Sequence, residues 1–72
     1  MNTPHWAVGM RRLRPGVYLD SQPAIHFDVR EMCAEAGYPY TQANAEMLEQ
    51  VARRAVKQVF GDIQIIDVTE EP

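Results

Sequence analysis

The stretch that decides the fold is residues 41–61, TQANAEMLEQVARRAVKQVFG, in which apolar residues recur at the spacing of an amphipathic helix. At about 100° per residue they fall on an arc roughly 140° wide, with Met47 and Phe60 at its margins. The residues inside the arc are Ala45, Leu48, Val51, Ala52, Ala55, Val56 and Val59. Thr41 can cap the first turn with its hydroxyl, and Gly61 can end the helix in a left-handed conformation. The pattern predicts a helix of about five turns with one core-facing stripe.

A shorter helix is predicted just upstream, over residues 29–36. Asp28 and Glu31 have the spacing of a capping box in which Asp replaces the usual Ser or Thr. An apolar residue then recurs every three or four positions until Gly37, and this side of the helix carries Val29, Met32, Cys33 and Ala36. Because Cys33 is the single cysteine and lies on the apolar side, we interpret it as a small buried hydrophobic residue.

Strands are predicted on both sides of the two helices. Residues 17–20 and 24–27 alternate with period two and are separated by a short turn, which is typical of a hairpin. Residues 63–68, IQIIDV, are rich in β-branched side chains and apolar on both faces, as in an interior strand or an edge strand that meets a partner. The order ββααβ predicts an α+β domain with two helices packed on one face of a roughly three-stranded sheet. Strand order is left open, although placing the last strand beside the first would give one compact layer.

The 72 residues are expected to form one domain, residues 17–68, with a flexible basic arm at 1–16 and an acidic tail at 69–72. The arm holds three arginines and no acid, a charge of +3, and its segment around Trp6 could extend the sheet. The rest holds four bases and all ten acids, a charge of −6. This distribution argues against nonspecific duplex binding and suits docking on a positively charged protein surface.

No chemistry-bearing motif is visible in the sequence. The soft metal ligands are His5, His26 and Cys33, without metal-binding spacing, and His26 is expected on the surface beside Tyr18 or Asp20. The glycines are scattered, so no phosphate-binding loop is formed. We therefore expect no metal, no cofactor, no catalytic residue and no enzymatic activity. A membrane span and a secretory signal are also missing, so a cytoplasmic location is expected by default.

Aromatic and basic side chains are the candidate binding residues. Trp6 is either a cover for one end of the core or an exposed anchor, and the tyrosines of the connector at 38–40 either cap the core or contact a partner. The arginines of the arm are either a solvated edge or a contact cluster for phosphate or carboxylate groups. The candidate partner-binding residues are Trp6, Arg11, Arg12, Arg14, Tyr38, Tyr40, Arg53, Arg54 and Lys57.

These features favour a non-enzymatic protein-interaction module, an inhibitor or adaptor that docks on a larger protein or protein complex. Small acidic inhibitors encoded by viruses or mobile elements fit this description, and so do adaptors and antitoxin-like regulators. A homodimer is also a candidate assembly, because so small a chain buries little surface when alone. The alternative function is an accessory nucleic-acid-binding protein that stacks bases on Trp6 and contacts phosphates with Arg11, Arg12 and Arg14.

Overall fold

The computed structural model describes residues 5–69. Its elements, in chain order, are a 3-10 turn at His5–Ala7, β1 Arg11–Arg14, β2 Val17–Leu19, β3 Ala24–Phe27, α1 Val29–Ala36, α2 Gln42–Phe60 and β4 Gln64–Asp67. The strands form a mixed sheet of order β1-β2-β3-β4, in which only the β3–β4 pair is parallel. Both helices lie in the crossover between β3 and β4. The predicted α+β class is confirmed.

The described part of the chain has four strands rather than the expected three. The additional strand is β1, Arg11–Arg14, which falls within the segment expected to be a flexible basic arm. The Pro15–Gly16 turn folds β1 back on β2, so that Arg12 pairs with Tyr18. This turn therefore closes a hairpin between β1 and β2. Residues 1–4 of the expected arm and 70–72 of the expected tail lie outside the described residues.

The last strand lies beside β3 and not beside the first predicted strand, β2. Ile25 of β3 is in register with Ile65 of β4. The chain passes from β3 into α1 after one residue, Asp28, and the two helices then carry it back to the same end of the sheet. A helical crossover of this kind joins parallel strands, so the open edge of β3 receives β4.

The core lies between the sheet and the two helices. Val17, Ile25 and Phe27 come from the sheet, and Val29, Met32 and Cys33 come from α1. Only Val56 of α2 is buried with them. Cys33 has a relative exposure of 1%, so its predicted burial is confirmed.

The N-cap signals of both helices and the glycine end of α1 are confirmed, whereas the left-handed end predicted for α2 is wrong. The Asp28 carboxylate accepts a hydrogen bond from the Glu31 N–H at 3.2 Å, and the Thr41 hydroxyl accepts one from the Asn44 N–H at 3.2 Å. Gly37 has φ 79° and ends α1 in the left-handed conformation. Gly61 follows the last residue of α2, but with φ 71° and ψ −132° it lies outside the left-handed helical region; its N–H donates to the Lys57 carbonyl at 2.9 Å.

The predicted core-facing stripe of α2 is only partly buried. Ala45, Leu48 and Ala52 pack against the core, but Val51 is 57% exposed and Val59 is 75% exposed. The reason is size, because a 19-residue helix is about 28 Å long whereas a four-residue strand spans about 13 Å. With eight residues, α1 is also too short to cover the remainder.

We predict that Gly16→Ala destabilises the domain by about 2–5 kcal/mol, the sum of a left-handed backbone penalty and an overpacking penalty. Gly16 has φ 82°, and a Cβ there would lie 2.5 Å from Met32 Cγ and 2.6 Å from the Asp28 carbonyl oxygen. Gly9→Ala is the control, since Gly9 also has a positive φ but has open space around it. Urea unfolding of both variants checks the prediction, and equal losses would contradict the role of close packing.

Candidate functional site

Trp6 packs against the face of the sheet that points away from the helices. Tyr18 and His26 alternate with the core residues along β2 and β3, so both lie on this face. The Trp6 ring meets Tyr18 edge to face at a centroid distance of 4.9 Å and stacks with His26 at 6.3 Å. Ala7 beside it is fully buried. Trp6 therefore folds back and covers part of the domain, which is the first of its two interpretations.

His26 lies beside both Tyr18 and Asp20, but it is not the surface histidine expected from the sequence. Its side chain is 12% exposed, and Nε2 lies 3.4 Å from Asp20 Oδ2 without the geometry of a hydrogen bond. Partial desolvation raises the pKa of Asp20, but hydrogen bonds from the Gln22 and Ser21 N–H groups and the Ser21 hydroxyl outweigh it and lower that pKa overall. Asp20 is therefore held as a carboxylate next to the imidazole.

Arg12, Tyr18 and Glu31 form a network that ties β1 and β2 to α1. Arg12 Nη2 donates to Glu31 Oε2 at 2.7 Å, and the Tyr18 hydroxyl donates to Glu31 Oε1 at 2.6 Å. Burial, with the hydrogen bond to Glu31 and its negative charge, raises the pKa of Tyr18 to about 12. Of the three arm arginines, Arg12 is thus engaged inside the domain.

Arg11 and Arg14 are exposed on β1 and have no ion-pair partner among residues 5–69. Leu13 between them is 37% exposed. β1 is an edge strand, and its pairing with β2 shifts register between Arg12 and Arg14. The structure therefore presents two free guanidinium groups and one apolar side chain along an open strand edge.

The two predicted tyrosines occupy different environments. Tyr38 is 47% exposed. Tyr40 is half-buried, packs against the core, and has the Arg30 guanidinium 4.8 Å from its ring centroid. In the connector, Tyr38 is therefore accessible to solvent, whereas Tyr40 caps the core, which was one of the two roles considered for these tyrosines.

The three basic residues of α2 that were predicted to bind a partner also have different environments. Arg53 Nε donates to Glu49 Oε2 at 3.2 Å, and its guanidinium lies 5.9 Å from the centroid of the Phe27 ring. Arg54 and Lys57 are exposed. They lie on α2, whereas Arg11 and Arg14 lie on β1.

An apolar groove of about 260 Å³, which the sequence did not indicate, lies between the β1–β2 turn and the two helices. Arg14 and Glu35 are its charged residues. The others that line it are Pro15, Met32, Ala36, Leu48, Val51, Ala52, Ala55 and Val56. The one signal that could have revealed it is the mismatch between the long stripe of α2 and the short elements available to cover that stripe.

A second pocket of about 380 Å³ has three acidic residues in its lining, Glu46, Glu49 and Asp67. Partial burial raises the pKa of Asp67, but its hydrogen bonds with Thr69, including one from the N–H at 2.8 Å, outweigh this and lower it overall. A carboxylate with a lowered pKa does not serve as a general acid. Among the described residues, no group of three His, Cys, Asp or Glu side chains could hold a metal ion.

Comparison of the chain with protein-family models, curated proteins and solved structures finds no match. Within residues 5–69, neither helix is long and apolar enough to cross a lipid bilayer. The function is therefore inferred from the chain's own residues.

We predict that Tyr18 ionises near pH 12 rather than near its ordinary pKa of 10, and that Glu31→Gln lowers this value. The folded-state pKa is raised, so the stabilisation is complete below pH 10 and is lost as the pH rises to 12. Tyr38→Phe with Tyr40→Phe leaves Tyr18 as the one tyrosine, so phenolate absorbance can follow it alone. Titration near pH 10 in that variant would contradict the network.

Proposed function

We propose that this protein is a small interaction module without catalytic activity, which acts as an inhibitor or adaptor by docking on a larger protein. The observation that carries the proposal is the open edge of β1, where Arg11 and Arg14 are exposed and have no ion-pair partner within the described residues 5–69, while Arg12 is held by Glu31.

An edge strand can accept a further strand, because its outward N–H and C=O groups are unpaired. Charged side chains normally protect such an edge, and here they also select what can bind to it. If β1 paired with β1 of another copy, the arginines of one strand would lie opposite the arginines of the other. Like charges placed opposite each other destabilise a strand pair. An extended acidic segment of a larger protein avoids that repulsion and forms charge-assisted hydrogen bonds with both guanidinium groups.

Exposed Leu13 and Tyr38 are consistent with a protein partner. Leu13 lies between the two arginines on β1, so an added strand that carries an apolar side chain at the facing position would cover it. Tyr38 follows the end of α1 and is about half exposed, and tyrosine is a side chain that interfaces use often. Arg54 and Lys57 stay as candidates on α2.

The alternative, nucleic-acid binding, rests on the same exposed arginines. Its mechanism requires Trp6 to stack on a base, but Trp6 is packed against Tyr18 and His26. Two free arginines on an acidic body provide few phosphate contacts. These observations favour a protein partner.

We predict that Arg11→Gln with Arg14→Gln reduces recovery of the partner by at least about tenfold, because two charge-assisted contacts contribute about 1.5–3 kcal/mol each. The measurement is affinity capture of the tagged protein from the cells that express it, with nuclease present, followed by mass spectrometry. Gln22→Glu with Gln50→Glu is the matched control, since it changes the net charge by the same −2 at two exposed positions away from β1.

Retention of the partner by the control and its loss from the arginine variant would support the proposal. If the arginine variant still captures the partner, the β1 edge is not the docking surface. If nuclease removes the captured material from the wild-type protein, the nucleic-acid alternative replaces the proposal.

A further inference from the structure

In the β1–β2 hairpin, β1 has one residue more than β2. The paired residues are Arg11 with Leu19, Arg12 with Tyr18, and Arg14 with Val17. Leu13 has no opposite residue, so the four residues of β1 face the three of β2. One extra residue on one strand of an antiparallel pair is a β-bulge. A bulge interrupts the alternation of side chains between the two faces of a sheet, so the face of each β1 arginine follows from its partner on β2.

The bulge puts Arg11 and Arg14 on the same face of the sheet. Residues that lie directly opposite each other in an antiparallel pair point to the same face. Val17 belongs to the core and Leu19 packs against it, so both arginines lie on the face that points toward the helices. In a strand without a bulge, residues 11 and 14 would point to opposite faces.

The apolar groove between the β1–β2 turn and the two helices gives independent evidence for the position of Arg14. Arg14 lines this groove together with Met32 of α1 and Leu48 of α2. Glu35 is the other charged residue of the lining, but no ion pair within residues 5–69 joins it to Arg14. The Arg14 guanidinium group is therefore available to a ligand on the face toward the helices.

The spacing of the two arginines matches one face of an extended chain. Val17 and Leu19 are two residues apart on β2, which is about 7 Å along a strand. Because of the bulge, Arg11 and Arg14 have the same spacing as these partners, although they are three residues apart in the sequence. Side chains at alternate positions of an extended segment also lie on one face and repeat at this distance.

We infer that the acidic segment that docks at β1 carries two acidic residues at alternate positions, with one residue of any type between them. Each carboxylate then meets one guanidinium group and accepts charge-assisted hydrogen bonds from it. Acids at adjacent positions point to opposite faces, so only one of them reaches the face that holds Arg11 and Arg14. The inference rests on the proposed function and deepens it, since it states which acidic segments the edge selects.

The bulge also makes side chains, rather than the backbone, the source of this selectivity. A bulge leaves the extra residue unpaired and disrupts the hydrogen-bond ladder locally. Backbone groups at a strand edge bind segments of many sequences, whereas the arginine pair distinguishes segments by the spacing of their charges. Arg12 does not contribute, because its guanidinium group is bound to Glu31.

Binding of short synthetic peptides to the full chain tests the inference. The peptides consist of threonine and valine with two glutamates, and their ends are acetylated and amidated so that only the glutamates are charged. In the alternate peptide one residue separates the glutamates, and in the adjacent peptide, which has the same composition, none does. Titration followed by nuclear magnetic resonance of the protein's backbone amides gives both dissociation constants, at low salt because ions screen exposed charges.

We expect the alternate peptide to bind at least about tenfold more tightly than the adjacent peptide, because it gains a second charge-assisted contact. Arg11→Gln and Arg14→Gln, each made alone, should reduce the affinity for the alternate peptide to that for the adjacent peptide. Gln22→Glu with Gln50→Glu is the control and should keep the preference, since it changes the net charge but leaves both arginines in place.

Equal affinities for the two peptides, both lost in the double arginine variant, would overturn the inferred spacing and leave the proposed function standing. A preference that persists in both single arginine variants would also overturn the inference, because other residues would then produce it. If neither peptide binds the wild-type chain, docking of an acidic segment at β1 fails and the inference fails with it. Tighter binding of a single-stranded oligonucleotide than of the alternate peptide would replace both with the nucleic-acid alternative.

Discussion

The structure depends on the close approach of Gly16, in the β1–β2 turn, to the first turn of α1. The Asp28 N–H donates to the Gly16 carbonyl at 2.8 Å, and a glycine is needed because a side chain would collide with Met32 and the Asp28 carbonyl. This contact sets the distance between the hairpin and α1. Glu31, one turn into the helix, is thereby positioned to accept hydrogen bonds from Tyr18 and Arg12.

That contact also decides which basic residues are free. Because Glu31 holds Arg12, the segment of three arginines becomes a strand with one anchored guanidinium and two that face solvent. The same hairpin presents Tyr18 to Trp6, so the indole packs on the sheet rather than standing free. The ion pair between Arg12 and Glu31 therefore leaves Arg11 and Arg14 as the exposed charges of the edge strand, and the aromatic ring that base stacking would need is packed against Tyr18 and His26.

A second constraint is the unequal length of the elements. Four strands of three or four residues and an eight-residue helix cannot cover one side of a 19-residue helix. The α2 stripe is accordingly buried on the side of Val56 and exposed on the side of Val51. The apolar groove results from this mismatch, and Arg14 is one of its two charged lining residues.

The sequence by itself determined the limits of both helices, their N-caps, the β2–β3 hairpin, the burial of Cys33 and the α+β class. Each of these depends on residues a few positions apart, such as Asp28 with Glu31, or on a period read along one element. The tertiary structure alone decided that Arg11–Arg14 is a strand, that β4 pairs with β3, that Trp6 and Tyr40 are engaged within the domain, and which part of α2 is covered. Those outcomes depend on contacts between residues far apart in the chain. No local pattern encodes how much surface such distant elements leave exposed.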